Sequence, residues 1–166
     1  MEKIRKATVE DIPMIRSMAE VVFMQTYATI NPPEQMEFMM DWMYSEESLR
    51  RQMTTDGNVF LVVDGKAYAS FRHEGMTEDG RDLFHLEKLY IMPEKQKTGL
   101  GKRMFDAVVE EIKKTAEGPV RIELNVNRHN PAVTFYEHIG MHKDRQGDFD
   151  IGHGYYMNDY IMAIDL

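Results

Sequence analysis

The first third of the chain repeats apolar residues at the three- and four-residue spacing of an amphipathic helix. The positions that open this pattern are Ile12, Ile15, Met18, Ala19 and Val22. Thr8 stands before them with acidic residues behind it, which is a helix-start signal. A proline pair at positions 32–33 ends this helix, and two more are predicted over Glu34–Met43 and Glu46–Thr54, the second capped by Ser45. The segment Lys3–Lys6 is predicted to enter as a short strand.

From residue 59 onwards the pattern changes to the two-residue alternation of β-strands. Val59–Val63 and Ala67–Arg72 are predicted to form a hairpin through a two-residue turn, Asp64-Gly65. After a polar loop, Phe84–Met92 is predicted to form the next strand. A helix is predicted after Gly101, and it ends before the Gly-Pro pair at positions 118–119.

The C-terminal part of the chain combines strand segments with one short helix. Val120–Val126 alternates apolar and polar residues, and Ala132–His138 is predicted to be helical. Turns at Gln146-Gly147-Asp148 and at residues 152–154 are predicted to flank a strand near Phe149, and a last strand covers Tyr155–Ile164. This order of elements predicts a mixed α/β (α+β) domain with a mostly antiparallel sheet.

Composition and charge exclude several classes of protein. The 166 residues are predicted to form one domain, residues 1–166, that is large enough for a substantial core. A net charge of −8 argues against a general nucleic-acid binder, and no apolar run is long enough to span a membrane. The absence of cysteine excludes disulfides, a thiolate nucleophile and cysteine-ligated zinc. The N-terminus has no signal-type apolar stretch, and a cytoplasmic location is predicted.

One stretch, Pro93–Arg103, carries a phosphate-binding pattern. It joins a predicted strand to a predicted helix, and Gly99 and Gly101 let the backbone curl and a ligand come close. Amide N–H groups at a helix start have no intrahelical acceptors, and the helix dipole adds positive potential. The basic residues around this turn are Lys95, Lys97, Lys102 and Arg103. The stretch therefore predicts a phosphate or pyrophosphate site.

Two common phosphate motifs do not fit this stretch. A P-loop needs glycine at position 96 and a hydroxyl residue after Lys102, but the chain has Gln96 and Arg103 there. A Rossmann fingerprint is started by Gly99 and Gly101 but has Met104 in place of its third glycine. The sequence therefore argues against both a nucleoside-triphosphate loop and a dinucleotide loop.

A third motif fits, and two further blocks agree with it. Gln96–Gly101 (QKTGLG) matches the pattern Q/R-x-x-G-x-G/A, and Leu86–Pro93 resembles the strand that precedes this pattern. Asn130–Met141 resembles a late N-x-x-A-x-x-F-Y-E-x-x-G-F block. These blocks, in this order, resemble the GNAT superfamily of N-acetyltransferases over essentially the whole chain. The resemblance implies the GNAT fold, a central mixed, mostly antiparallel sheet of about six to seven strands flanked by about four to five helices.

The resemblance implies acetyl-CoA as co-substrate, bound where two central strands around Leu89 and Leu124 splay apart. The pantetheine arm would pair with one strand, and the pyrophosphate would lie on the amides of the turn. The implied cofactor-binding residues are Leu89, Tyr90, Ile91, Gln96, Lys97, Thr98, Gly99, Leu100, Gly101, Lys102, Asn127 and Asn130. His129 occupies the family's usual asparagine position, so that contact falls to Asn130, to Asn127 or to His129 itself. The histidines form no metal-ligand pattern, and no metal is implied.

The resemblance assigns the chemistry to residues on either side of the turn. Glu87 is implied to take the proton of a primary amine, directly or through water, before the amine attacks the thioester. A backbone N–H near Leu89 would stabilise the oxyanion, and Tyr136 matches the tyrosine that protonates the departing thiolate. Each side chain has a structural alternative: Glu87 could pair with Arg121, and the Tyr136 ring could simply pack under the sheet.

The closing segment, Phe149–Met162, resembles the subgroup that contains spermidine/spermine N-acetyltransferases, which implies a small polyamine-like acceptor. Tyr27, Trp42 and Tyr44 are the implied substrate-binding residues, with core packing as the alternative. The other acceptors are a protein N-terminus, a lysine or an amino-acid-like metabolite. A further reading is a GNAT-fold acyl-CoA-binding regulator with little turnover. No nucleic-acid or membrane partner is implied, and members of the family often pair as homodimers through late strands.

Overall fold

The computed structural model describes residues 2–166, which form a seven-stranded sheet with helices on both faces. The strands are β1 Arg5–Lys6, β2 Val59–Val63, β3 Ala67–Met76, β4 Asp82–Ile91, β5 Val120–Asn127, β6 His142–Gly152 and β7 Tyr155–Asp165. The α-helices of this part of the chain are α1 Ile12–Tyr27, α2 Pro33–Tyr44, α3 Glu46–Thr54, α4 Leu100–Thr115 and α5 Ala132–His138. The strand order is β1-β2-β3-β4-β5-β7-β6. The predicted fold class is confirmed.

Two hydrophobic cores hold the helices against the sheet. On one face, the residues Met104, Val108 and Ile112 of α4 are fully buried, and α5 packs beside them. Their four-residue spacing places them on one face of the helix. On the other face, α1, α2 and α3 share a core that includes Phe23 and Tyr44. Within residues 2–166, none of the helices has both the length and the hydropathy needed to cross a membrane.

The centre of the sheet opens between β4 and β5. These are the one parallel pair among the described strands, and their register runs only from Asp82↔Val120 to His85↔Glu123. Beyond this point β4 remains paired with β3, and β5 with β7, so the two central strands diverge. The divergence lies where the resemblance implied it, around Leu89. A strand edge without a neighbour leaves backbone donors and acceptors free for a ligand.

A β-bulge in β4 lies beside this opening. Ser70 of β3 pairs with Lys88 and the next residue, Phe71, pairs with Leu86, so Glu87 has no partner on β3. Regular alternation would send consecutive side chains to opposite faces. Here Glu87 and Lys88 line the same cavity, because the extra residue re-aims the strand locally.

Two turn predictions were wrong. The β2–β3 loop has three residues, Asp64 to Lys66, and is closed by Lys66 N donating to the Val63 carbonyl oxygen at 2.8 Å. Gly65, with a φ of 70°, fits this longer loop. Gln146-Gly147-Asp148 is not a turn but lies inside β6, paired with β7. The long ladder between β6 and β7 overrides the local turn propensity of these residues.

Candidate active site

The turn between β4 and α4 presents a row of backbone donors. Within residues 2–166 no acceptor is found for the N–H groups of residues 97–102, and the next N–H, of Arg103, bonds to the Gly99 carbonyl oxygen at 3.2 Å. Lys97 and Gly99 have φ values of 61° and 90°, and these left-handed residues curl the chain around the donors. The Gln96 side chain donates to the Ile91 carbonyl oxygen at 3.0 Å and tethers the turn to β4. This geometry suits an anion.

Glu2 forms ion pairs with two of the four basic side chains near this turn. Its carboxylate pairs with Lys95 at 2.7 Å and with Arg103 at 3.6 Å. The hydrogen bond from Lys95 is the largest cause that lowers the pKa of Glu2 to about 2. Lys102 pairs with a carboxylate of its own helix, and Lys97 makes no ion pair among the described residues. The positive potential at the turn therefore comes mainly from Lys97 and from the free amides.

A cavity of about 510 Å³ opens beside the gap, on the face of the sheet covered by α1, α2 and α3. Phe23, Tyr27 and Tyr44 form an aromatic wall in which ring centroids lie 4.8 and 5.5 Å apart. The three predicted substrate-binding residues, Tyr27, Trp42 and Tyr44, all line this cavity. Trp42 is 43% exposed, whereas Tyr44 is buried and accepts a hydrogen bond from Tyr68 at 2.9 Å. Tyr44 therefore also has a structural role.

Glu87 faces the cavity with both carboxylate oxygens engaged. Oε2 accepts a hydrogen bond from Asn58 at 2.8 Å, and Oε1 lies 3.0 Å from Nε of Arg72. The alternative partner considered from the sequence, Arg121, pairs with Glu123 at 2.8 Å instead. The Glu87 side chain is 25% exposed, so water can reach it.

Tyr136 lies on the other face of the sheet, in the core formed with α4 and α5. Its ring packs edge-on against Phe135 with centroids 5.4 Å apart. Burial, with a further contribution from Tyr27, raises the pKa of Tyr136 well above its usual value. Its hydroxyl makes no hydrogen bond with any described residue. Tyr136 and Glu87 therefore belong to opposite faces of the sheet at its splayed centre.

The asparagines after β5 shape the loop that leads to α5. The Asn127 side-chain oxygen accepts a hydrogen bond from His129 N at 2.9 Å, and that of Asn130 accepts from Ala132 N at 2.8 Å. Both asparagines are buried, and a hydrogen bond from the Asn130 side chain partly offsets the raised pKa of Tyr27. His129 is exposed. The two asparagines thus have donors to offer a ligand, whereas the His129 ring points to solvent.

Most charged residues of the cavity lining were not predicted from the sequence, and Arg72, Lys88 and Asp159 are three of them. Lys88 is 7% exposed and donates to the Gln52 side chain at 2.7 Å, and its burial lowers its pKa to about 8. Asp159 is 1% exposed. Lys88 and Asp159 lie in strands among apolar residues. A charged residue at such a position is the sequence signal that could have indicated them as site residues. In the part of the chain described, no three His, Cys, Asp or Glu side chains group as a metal site requires.

The family follows from comparison with known proteins. The family described as "Acetyltransferase (GNAT) domain" matches residues 27–152. The chain belongs to the GNAT acetyltransferase family. This GNAT protein is also 25% identical over 164 residues to an uncharacterized N-acetyltransferase from the pepI 3′ region of Lactobacillus delbrueckii subsp. lactis, covering 89% of this chain and 94% of that protein. It is therefore an N-acetyltransferase.

Solved structures share the fold of this N-acetyltransferase. The PaiA N-acetyltransferase of Thermoplasma acidophilum, solved in complex with coenzyme A, superposes with a TM-score of 0.73 at 22% identity, over 100% of this chain and 99% of that chain. The ribosomal-protein-S18-alanine N-acetyltransferase of Escherichia coli superposes with a TM-score of 0.67 at 18% identity, over 99% and 94% of the two chains.

Proposed function

We propose that this enzyme binds acetyl-CoA in the gap between β4 and β5 and transfers the acetyl group to a primary amine. The observation that carries the proposal is the end of the parallel ladder at His85↔Glu123. That end leaves a strand edge open between a donor-rich turn and a cavity lined by acidic and aromatic residues. The coenzyme A complex of the PaiA relative supports the same choice of donor.

The donor would lie along the open edge of β4. Backbone groups of Leu89, Tyr90 and Ile91 would pair with its pantetheine arm, as an added strand does. Its pyrophosphate would accept hydrogen bonds from the six N–H groups of residues 97–102, which have no acceptor within residues 2–166. The side-chain NH₂ groups of Asn127 and Asn130 would reach it from the β5 side.

The chemistry would be direct attack by the neutral amine on the thioester carbonyl. Glu87 would take the amine proton through water, since its own oxygens are occupied by Arg72 and Asn58. The N–H groups beside the bulge, near Leu89, would stabilise the oxyanion. Tyr136 would give its proton to the departing thiolate, and the proton that the nitrogen loses on collapse would restore the phenol.

A small polyamine-like amine is the acceptor that the cavity favours. Its lining includes five carboxylate residues, Asp56, Glu74, Glu87, Asp150 and Asp159, and an aromatic wall that suits an alkyl chain. The E. coli relative is named for acetylating the alanine of a ribosomal protein, so a protein N-terminus is the second candidate. The remaining alternative is a regulator that binds acyl-CoA without catalysis. Such a protein would bind acetyl-CoA but release CoA no faster than the uncatalysed reaction.

Acetyl-CoA is expected to raise the Tm of the wild-type protein, and ATP is not. Gly99→Ala should lose most of this rise, because its φ of 90° strains any side chain and the curl of the turn depends on it. Differential scanning fluorimetry measures both effects.

The matched control is Gly80→Ala, which has a φ of 85° and, like Gly99, nothing within 4 Å of an added Cβ. Both variants should lose about 1 kcal/mol of stability from the same backbone strain. Only Gly99→Ala should also lose the response to acetyl-CoA. Equal stabilisation of the wild type by ATP would contradict the assignment of the donor.

A further inference from the structure

Asp159 is a buried carboxylate that the protein itself leaves unsatisfied. It lies in β7, is 1% exposed and lines the cavity. Its Oδ1 has no hydrogen-bond partner among residues 2–166. Its Oδ2 accepts one long hydrogen bond, from the Asn125 side chain at 3.3 Å. A buried carboxylate with so few partners is costly, and a ligand that satisfies it would recover that cost.

Three of the other four carboxylates of this cavity are compensated by neighbouring cations. Glu87 pairs with Arg72 at 3.0 Å, and Glu74 lies 3.8 Å from the same guanidinium. Asp56 pairs with Arg51 at 3.6 Å. Among the described residues Asp159 has no ion pair within 4.0 Å, although it is the most deeply buried of the set. Asp150 also makes no ion pair among residues 2–166, but it is exposed to solvent. Asp159 is therefore the one buried carboxylate of this cavity without an ion pair in the described part of the chain.

Asp159 also lies near the proposed reacting centre. Its strand position is paired with Asn127, at the end of β5 where the gap is open. The pKa of Tyr27 is raised first by burial and also by the charge of Asp159, while Tyr27 in turn contributes to the raised pKa of Tyr136. Burial raises the pKa of Asp159 itself. The carboxylate and the aromatic wall thus line one cavity, and the proposed acid lies on the other side of the gap.

We propose that Asp159 binds the ammonium group of the acceptor and brings that nitrogen to the gap between β4 and β5. This inference rests on the proposed function, in which Glu87 acts next by taking a proton from the bound nitrogen. The free Oδ1 accepts a charge-assisted N–H bond from the ammonium, and the alkyl chain of the amine lies along the aromatic wall. Asp159 therefore makes the cavity selective for cationic amines over uncharged molecules of similar length.

The test compares Asp159→Asn with the wild type by thermal shift, using spermidine as the cationic probe and triethylene glycol as the uncharged one. Spermidine should raise the Tm of the wild type, and triethylene glycol should not. Asp159→Asn should lose the rise with spermidine but keep the rise with acetyl-CoA. Its Tm without ligand should equal or exceed that of the wild type, because a buried charge has been removed. Asp41→Asn, an exposed carboxylate outside the cavity lining, is the matched control and should behave as the wild type.

Kinetics give a second readout. Asp159→Asn should raise the KM for the amine about tenfold or more, the loss expected for a charge-assisted bond, and leave the KM for acetyl-CoA unchanged. Asp159→Ala serves as a second variant that also lacks the charge.

A rise with spermidine that is equal in wild type and Asp159→Asn, or absent in the wild type, would overturn the inference. So would failure of both Asp159 variants to fold, since the carboxylate would then be structural. If acetyl-CoA did not raise the Tm of the wild type, that result would instead count against the proposed function. The thermal shift with spermidine is measured without acetyl-CoA, so the two failures can be told apart.

Discussion

Tyr136→Phe is expected to lower kcat about a hundredfold or more, the usual contribution of a general acid. The thiolate would then leave without a proton from the protein. Burial raises the pKa of Tyr136, so the phenol is protonated at neutral pH and gives up its proton only to the basic thiolate that forms as the thioester breaks. The substitution should cost little stability, since this hydroxyl makes no hydrogen bond with any residue between 2 and 166. Steady-state kinetics with a thiol-release readout measures kcat, and isothermal titration measures the affinity for acetyl-CoA.

The matched control for this variant is Tyr156→Phe, because Tyr156 is 52% exposed on β7 and does not line the cavity. It should keep the wild-type kcat. The affinity for acetyl-CoA should be unchanged in both variants, because the phenol acts on the leaving group. If Tyr136→Phe kept the wild-type kcat, Tyr136 would not be the general acid, and its role would be packing alone.

Glu87→Gln is expected to lower kcat/KM about a hundredfold at neutral pH. The loss should shrink as the pH rises toward roughly 10, where an alkyl amine sheds its own proton and no longer needs a base. The measurement is a pair of pH profiles of kcat/KM, for the wild type and the variant.

The Arg72→Gln variant distinguishes a role of Glu87 as a base from a role of its ion pair with Arg72. It removes the same 3.0 Å contact as Glu87→Gln but leaves the carboxylate in place. A pair this exposed contributes about 1 kcal/mol or less to stability, so both variants should fold. Arg72→Gln should keep most of the activity and the shape of the pH profile. Equal losses in the two variants, or a constant ratio of Glu87→Gln to wild type across pH, would show that Glu87 acts structurally.

The elements that depend on local signals could be predicted from the sequence. Gly99 and Gly101 predicted a turn before a helix. In the structure Gly99 has the left-handed backbone conformation that glycine permits. Ser45 was predicted to cap α3, and its hydroxyl accepts the Ser48 N–H at 3.1 Å. The Gly-Pro pair at positions 118–119 was predicted to end α4, and the helix ends at Thr115. These features are set by neighbours in the chain, so the sequence carries them.

The features that depend on contacts between distant segments could not be predicted. The bulge at Glu87 results from the register of β3 against β4, and the engagement of Lys95 and Arg103 results from Glu2. Asp159 shows the same limit in the candidate site, since its lack of a partner is visible only once β5 and β7 are paired. The identity of the acceptor could not be predicted either, because the side chains that line the cavity come from many separate segments of the chain.

The most direct test of the account is whether acetyl-CoA and an amine react on this protein. The purified chain is incubated with acetyl-CoA and a panel that contains polyamines, a peptide with a free N-terminus, lysine and other amino acids. Thiol release and the mass of the acceptor are followed together. We expect thiol release above background, with an equal amount of a small primary amine gaining one acetyl group. Background release across the whole panel, from protein that binds acetyl-CoA, would contradict it.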